Sequence, residues 1–140
     1  MVETSYVAST TERKAQNTYA QSRVSTASPS ELVLMMYDAA IRNMKAASEH
    51  IARKDFAAAN IAITKAEDIV DELRSSLNAD AGDIAQSLDS LYDYVYRSLV
   101  MSNVKKDASL LSGCVKVLEE IRGAWAEVAR AAVSPGRARG

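Results

Sequence analysis

The chain has 140 residues, of which 48% are hydrophobic and 25% are charged, and its formal net charge is −1. This length and composition are typical of one globular domain with a sizeable core, and the small net charge argues against long-range attraction to nucleic acid or anionic lipid. One cysteine excludes an internal disulfide, and one histidine beside it leaves no Cys/His zinc site.

The first 27 residues predict a flexible N-terminal leader. They are rich in serine and threonine, and their apolar residues show no sustained period. Tyr19 and Val24 are bulky exceptions that could anchor the leader to a folded body. The leader lacks the pattern of a secretory signal, and no stretch of the chain has the ~20 apolar residues of a membrane span, so we expect a cytoplasmic protein without membrane insertion.

A complete helix-start signal follows the leader. Ser28 is placed to cap a helix, Pro29 occupies the first helical position, and Glu31 completes a capping box. The next six residues, Leu32 to Tyr37, are all apolar, whereas a helix packed on one side needs only a stripe. This end of the helix is therefore either buried on every side or kept apolar for a partner.

Four segments have the helical period of three and four residues. We expect helices from about Pro29 to Arg53, from Phe56 after an Asp55 cap to about Leu77, from about Asp83 to Asn103, and after an Asp107 cap. The residues predicted to face inward are Leu34, Tyr37, Ile41, Met44, Ser48 and Ile51 in the first helix; Phe56, Ala59, Ile63, Ala66, Val70, Leu73 and Leu77 in the second; Ile84, Leu88, Leu91, Val95 and Leu99 in the third; and Leu111, Cys114, Leu118, Ile121, Trp125 and Val128 in the fourth.

Short connections between helices of similar length favour antiparallel neighbours. The predicted fold is all-α: an antiparallel up-down-up-down four-helix bundle over residues 28–132, between the flexible leader of residues 1–27 and a disordered tail of residues 133–140.

The predicted core contains no set of side chains that could act as an enzyme's catalytic site. Its inward positions hold no aspartate or glutamate, and the glycines do not form a phosphate-binding loop. A di-iron site would need two Glu-x-x-His pairs, but His50 is the only histidine. We therefore predict no catalytic residue, no metal and no cofactor. His50 in the last turn of its helix is favoured there by the helix dipole.

Some residues exceed what the core requires. Val33, Met36 and Ala40 form a second apolar face on the first helix. Tyr92, Tyr94 and Tyr96 cannot all be buried beside Leu91 and Val95, and tyrosine is enriched at recognition surfaces. Asn60 and Lys65 lie on the flanks of the second helix.

At this point the ordered residues resemble those of a known family. The run from Tyr19 through Val24 to Ile41, with Ser-Pro-Ser-Glu at the helix start, is similar to the signature of the FliS family of flagellar secretion chaperones. The likeness continues in register through residues 59–78, 82–94 and 103–125, and covers about residues 19–128. Ala39 departs from the pattern, since a glycine is usual there.

The resemblance implies a cytoplasmic, non-enzymatic chaperone. Its partners would be the disordered C-terminal segment of flagellin, which it keeps from premature polymerisation, and the flagellar export apparatus, with room for other flagellar co-chaperones or regulators. The leader, through Tyr19 and Val24, would act as a lid over the client groove. The residues expected in that groove are Val33, Met36, Tyr37, Ala40, Asn60, Lys65, Tyr92 and Tyr96.

Two alternatives from other classes stay open on the sequence. A histidine phosphotransfer bundle would use His50 as the phosphoryl carrier. A structural homodimer would close its surplus apolar face against a second copy.

Overall fold

The computed structural model describes residues 28–77 and 82–133, and within them it contains four helices and no strand. They are α1 (Pro29–Ala52), α2 (Phe56–Ser75), α3 (Asp83–Lys105) and α4 (Ala108–Val133). The all-α prediction is confirmed. The predicted leader, including the lid residues Tyr19 and Val24, and residues 134–140 of the predicted tail lie outside the described residues, whereas Val133 is the last residue of α4. None of the described helices is long and apolar enough to cross a membrane.

The predicted caps form at the helix starts. The Ser28 hydroxyl accepts the Glu31 backbone N–H at 3.2 Å, and the Glu31 carboxylate accepts the Ser28 N–H at 2.8 Å. The Asp55 carboxylate accepts the Ala58 N–H at 3.2 Å, and that of Asp107 accepts an N–H two residues on at 2.9 Å. Each cap satisfies a donor that the first turn leaves without an intrahelical partner.

The four helices form an antiparallel square. α1 packs against α2 and α4, and α3 packs against the same two helices. Side-chain pairs between neighbouring helices show the antiparallel sense, because a later residue of one helix pairs with an earlier residue of the other. These pairs are Asp38–Arg122 and Lys45–Glu119 between α1 and α4, and Asn60–Asn103 and Arg74–Asp89 between α2 and α3. We call the end where α1 and α3 begin the leader end, since residues 1–27 precede it.

Backbone turns with positive φ separate the helices. Lys54 has a φ of 62° between α1 and α2, and Lys106 has a φ of 52° between α3 and α4. Gly82, directly before α3, has a φ of 66°, a conformation that glycine adopts without the penalty of a side chain.

One core runs along the axis. Its fully buried large side chains are Tyr37, Tyr92, Met44, Ile63, Leu73, Leu99, Leu111, Leu118, Val70, Val95 and Cys114. Most of the predicted inward residues of α1, α2 and α4 lie in this core or pack against it.

The predicted inward stripe is wrong at three positions. Ile84 and Leu91 in α3 are 69% and 38% exposed, and Phe56 in α2 is 46% exposed. Tyr92 takes the core position that Leu91 was expected to fill. α3 carries two apolar stripes side by side, and helix period alone does not say which one its neighbours will cover.

Candidate functional site

The six consecutive apolar residues of α1 serve three places in the fold. Tyr37 is fully buried, whereas Leu32 through Met36 are half-buried. Val33 lines a cavity at the leader end, and Leu32, Met35 and Met36 line a groove between α1 and α2. The surplus in the sequence is therefore shared between the core and two surfaces.

A pair of buried tyrosines lies beneath this end of the bundle. The hydroxyls of Tyr37 and Tyr92 are hydrogen-bonded to each other, and their ring centroids are 6.4 Å apart. Burial raises the pKa of both hydroxyls, and in Tyr37 the hydrogen bond with Tyr92 raises the pKa further. Both groups therefore remain neutral in the folded protein, and each provides the other's hydrogen-bond partner.

A cavity of about 200 Å³ opens beside the tyrosine pair at the leader end. All four helices contribute to it, and we call it the end cavity. Its main lining residues are Val33 of α1, Leu73 of α2, Leu77 just after α2, Leu88 and Tyr92 of α3, and Trp125 of α4. Trp125 is half-buried and packs against the core while one side of it faces this cavity.

A wider groove of about 550 Å³ continues from the end cavity between α3 and α4. Ile84, Leu88 and Trp125 line both spaces, and Ser87, Ile121 and Ala124 complete the groove. Leu91 and Tyr94 follow Ser87 at helical spacing on the same side of α3, and they are 38% and 53% exposed. We call this surface the α3/α4 groove. Its lining is apolar apart from Asp83 and Ser87, and the exposed Leu91 and Tyr94 continue its apolar side along α3.

A third space of about 450 Å³ lies on the other side of α1. Leu32, Met35, Met36 and Ala39 line it from α1, and Ile69 lines it from α2 between Asp68 and Glu72. We call it the α1/α2 groove. Ala39, the predicted departure from the family pattern, therefore lies at a groove wall and not in the core.

Ion pairs clamp the helices around these spaces. The Arg122 guanidinium donates to both carboxylate oxygens of Asp38, at 2.6 and 3.3 Å. Arg74 donates to Asp89 at 2.6 Å and to Asp93 at 3.1 Å. The Arg74 guanidinium also lowers the pKa of the Asp89 carboxyl. These bidentate contacts fix the relative positions of helix ends that the apolar spaces would otherwise leave weakly packed.

The predicted groove residues do not form one surface. Val33 and Met36 line the end cavity and the α1/α2 groove, respectively, and Tyr92 forms a buried wall of the end cavity. Tyr37 and Ala40 are both 0% exposed, so in this conformation they support the surface from beneath. The assignment of these residues to client contact stays a prediction.

The other predicted groove residues lie elsewhere. Lys65 is exposed on α2, and Tyr96 is half-buried against the core. The Asn60 side-chain oxygen accepts the Asn103 amide at 2.7 Å, far from the leader end. Asn60 thus already has a partner within the chain, although the sequence suggested one outside it.

The sequence reasoning missed Trp125 and Ile84 as groove residues, since helix period placed both in the core. For Ile84 the signal is its position in the first turn of α3, where fewer neighbours are available to cover a large side chain. Trp125 lines both apolar spaces at this end, and the predicted groove residues include none from α4.

The arrangement suits apolar binding and not group transfer. Cys114 is buried, and burial raises the pKa of its thiol to about 11. His50 is half-buried, and its Nδ1 is buried without a hydrogen-bond partner in the described part of the chain. That nitrogen is not presented to a phosphoryl donor. Among the described residues no cluster of three His, Cys, Asp or Glu side chains could hold a metal ion.

Comparison with known proteins gives a consistent result. A family model described as flagellar protein FliS matches residues 12–132. The flagellar secretion chaperone FliS of Bacillus subtilis is 35% identical over 107 residues, which cover 76% of this chain and 80% of that protein. The protein of the same description from Salmonella typhimurium is 33% identical over 110 residues, which cover 77% of this chain and 82% of the relative.

The fold is also similar to that of a solved structure. A crystal structure described as a flagellar chaperone from bacteria matches with a TM-score of 0.70 and 22% sequence identity. The match covers 85% of this chain and 98% of the other. At this identity the likeness shows the shared helical architecture.

Proposed function

This chain belongs to the FliS family of flagellar secretion chaperones, and from that premise we propose that it binds the disordered C-terminal segment of flagellin in the cytoplasm. Binding would keep that segment from polymerising prematurely and would hold flagellin ready for delivery to the flagellar export apparatus. The family role is that of a chaperone and not of a catalyst, and a chaperone of this kind has a flagellar protein as its substrate.

The observation that supports this proposal most is the continuous apolar surface of the end cavity and the α3/α4 groove. A folded chain that worked alone would gain by covering Ile84 and Leu91, yet they are 69% and 38% exposed. Contiguous apolar surface on a folded domain marks a site of interaction with another chain. Since the groove follows the line between two helices, it fits an apolar helix or an extended segment.

The chemistry of a disordered client explains why the surface is large. A segment that folds on binding loses conformational entropy, so a wide apolar contact must offset that loss. The α3/α4 and α1/α2 grooves flank the bundle, and the end cavity lies between them at the leader end. A client that passes over the leader end can therefore contact all three.

The lid proposal also has support from where the leader joins the bundle. Residues 1–27 connect to α1 through Ser28, one turn before Leu32 and Val33, which line two of the apolar spaces. The leader needs little length to reach either space. We place its bulky residues Tyr19 and Val24 over this surface in the free chaperone, and the client displaces them.

Titration calorimetry with a peptide from the C-terminal region of the host's flagellin tests the proposal. Leu91→Arg places a charge in the α3/α4 groove, and we expect it to weaken binding about tenfold or more, because it removes apolar contact and forces a charge to lose water. The matched control is Val104→Arg on the same helix, where the native side chain is 74% exposed and lies far from the leader end.

The control should change the affinity by less than about twofold, because a solvated surface charge contributes little. Absence of binding by the unmodified protein at tens of micromolar peptide would falsify the proposed function. Equal losses in the two variants would exclude the α3/α4 groove as the client site.

A further inference from the structure

The α1/α2 groove differs from the other apolar spaces in having an acidic rim. Its floor is formed by Leu32, Met35, Met36 and Ala39 together with Ile69. Within the described part of the chain, Asp68 and Glu72 are its only charged lining residues, and they lie one helical turn apart on α2. Both are exposed. Among the same described residues, the α3/α4 groove has only Asp83 as a charged lining residue.

These carboxylates are not neutralised within the described part of the chain. Neither Asp68 nor Glu72 forms an ion pair there, although Asp38, Asp89 and Asp93 at the same end of the bundle are each paired with an arginine. Next to Asp68, the pKa of Glu67 is raised by burial and then by repulsion from the Asp68 charge. The groove rim therefore has negative charge available for an external cation.

We propose that the α1/α2 groove is a docking site for an amphipathic helix that carries lysine or arginine beside its apolar stripe. The floor residues Leu32, Met36 and Ala39 recur at helical spacing and extend over about two turns, or ~11 Å, which matches the apolar stripe of a short partner helix. The long stems of lysine and arginine cover apolar surface while their charged ends reach a flanking carboxylate.

The floor itself suits such a partner. Met35 and Met36 have flexible, polarisable side chains that adjust to the shape of the helix placed on them. Apolar contact then supplies affinity, and the acidic rim selects basic over acidic partners. The inference goes beyond the proposed function, since a client that contacts all three apolar spaces need not present a basic helix to this one.

Fluorescence anisotropy with the full chain and two labelled peptides tests this site. Both peptides are 15-residue amphipathic helices with the same leucine stripe, and the residues flanking the stripe are lysine in one and glutamate in the other. We expect the lysine peptide to bind about fivefold or more tighter than the glutamate peptide, with a difference that narrows as salt rises.

The double change Asp68→Asn with Glu72→Gln should weaken binding of the lysine peptide by about three- to tenfold. Asp71→Asn is the matched control, since Asp71 lies beside Glu72 and is exposed but does not line the groove. We expect it to change the affinity by less than about twofold. Equal affinity for both peptides, or equal losses in the two variants, would overturn the inference.

Two further measurements separate this site from flagellin capture. Leu91→Arg should leave the affinity for the lysine peptide unchanged and lower the affinity for the flagellin peptide. An equal loss of affinity for both peptides would place the lysine peptide in the α3/α4 groove and reject the inference. In sedimentation of the free chain, a monomer supports the inference, because the groove is then open to a partner helix. A dimer that Asp68→Lys dissociates would assign the groove to a second copy instead.

Discussion

At the scale of single residues, tyrosine shows how context decides a role. Tyr92 and Tyr94 are two positions apart, yet Tyr92 is 1% exposed and Tyr94 is 53% exposed. Tyr92 is buried because the hydroxyl of Tyr37 on the opposite helix satisfies its own hydroxyl. A buried polar group without such a partner would be costly, so the two tyrosines depend on one another.

This dependence predicts a strong coupling between the two residues. Tyr37→Phe or Tyr92→Phe should each lower the free energy of unfolding by about 1 kcal/mol, because each removes the hydrogen bond between the two buried hydroxyls and leaves Trp125 as the partner of the remaining one. The double variant should lose less than the sum of the single losses. Urea denaturation of the four proteins measures the coupling, and strictly additive losses would contradict the hydrogen bond.

The same pair predicts a loss of stability in alkaline solution. The folded pKa of both hydroxyls is raised above the ordinary value of 10.0, chiefly by burial. The stabilisation is complete below that pH and is lost as the pH rises above it, since the unfolded chain then releases protons that the folded chain retains. In denaturation series above pH 10, the Tyr37→Phe/Tyr92→Phe protein should lose stability less steeply than the unmodified protein. If the free energy of unfolding fell equally steeply with pH in both proteins, the loss would not come from these two hydroxyls.

At the scale of helices, α4 is notable for two exposed interior glycines. A Cβ built on Gly113 or Gly123 meets no atom within 4 Å, so neither glycine is required by packing inside the chain. Gly113 lies on the same helical stripe as Val117 and Ile121, about two turns from the part of α4 that lines the α3/α4 groove. Gly123 lies off that stripe.

The two glycines therefore form a natural comparison. Gly113→Ala and Gly123→Ala should each raise the free energy of unfolding by about 0.5–1 kcal/mol, because alanine has the higher helix propensity and room for its methyl group. Destabilisation by either alanine would show that the surrounding space is not open.

At the scale of the whole molecule, the bundle has two unlike ends. The apolar spaces gather at the leader end, where Arg74 and Arg122 bind aspartates across helix pairs. Near the opposite end, Asn60 binds Asn103, and Lys106 donates to the Asn103 side chain at 2.7 Å. We therefore expect the client and the leader to compete at one end while the other end stays independent of binding.

Competition at the leader end predicts the effect of removing the leader. Deletion of residues 1–23 should strengthen binding of the flagellin peptide several-fold, because the covered state no longer competes with the client. Tyr19→Ala should act in the same direction with a smaller effect. Calorimetry on the two variants and the full chain measures the affinity for the flagellin peptide. A sharp loss of that affinity would show that the leader is part of the client site.

The sequence by itself determined the four helices, their caps and their antiparallel order. These follow from local hydrogen bonds at residues such as Ser28 and Asp55, and from apolar period and short connections. It also placed Val33 and Met36 correctly outside the fully buried core.

Only the tertiary structure decided which of two adjacent stripes on α3 is buried. Because the neighbouring helices cover Tyr92 and not Leu91, Tyr92 is buried while Ile84 and Leu91 of the predicted inward stripe are exposed. Leu88 and Trp125 pack against the core, as predicted, and also line a groove. Helix period gives the spacing of a stripe, but its burial depends on a rotation of about 100° that neighbours alone set.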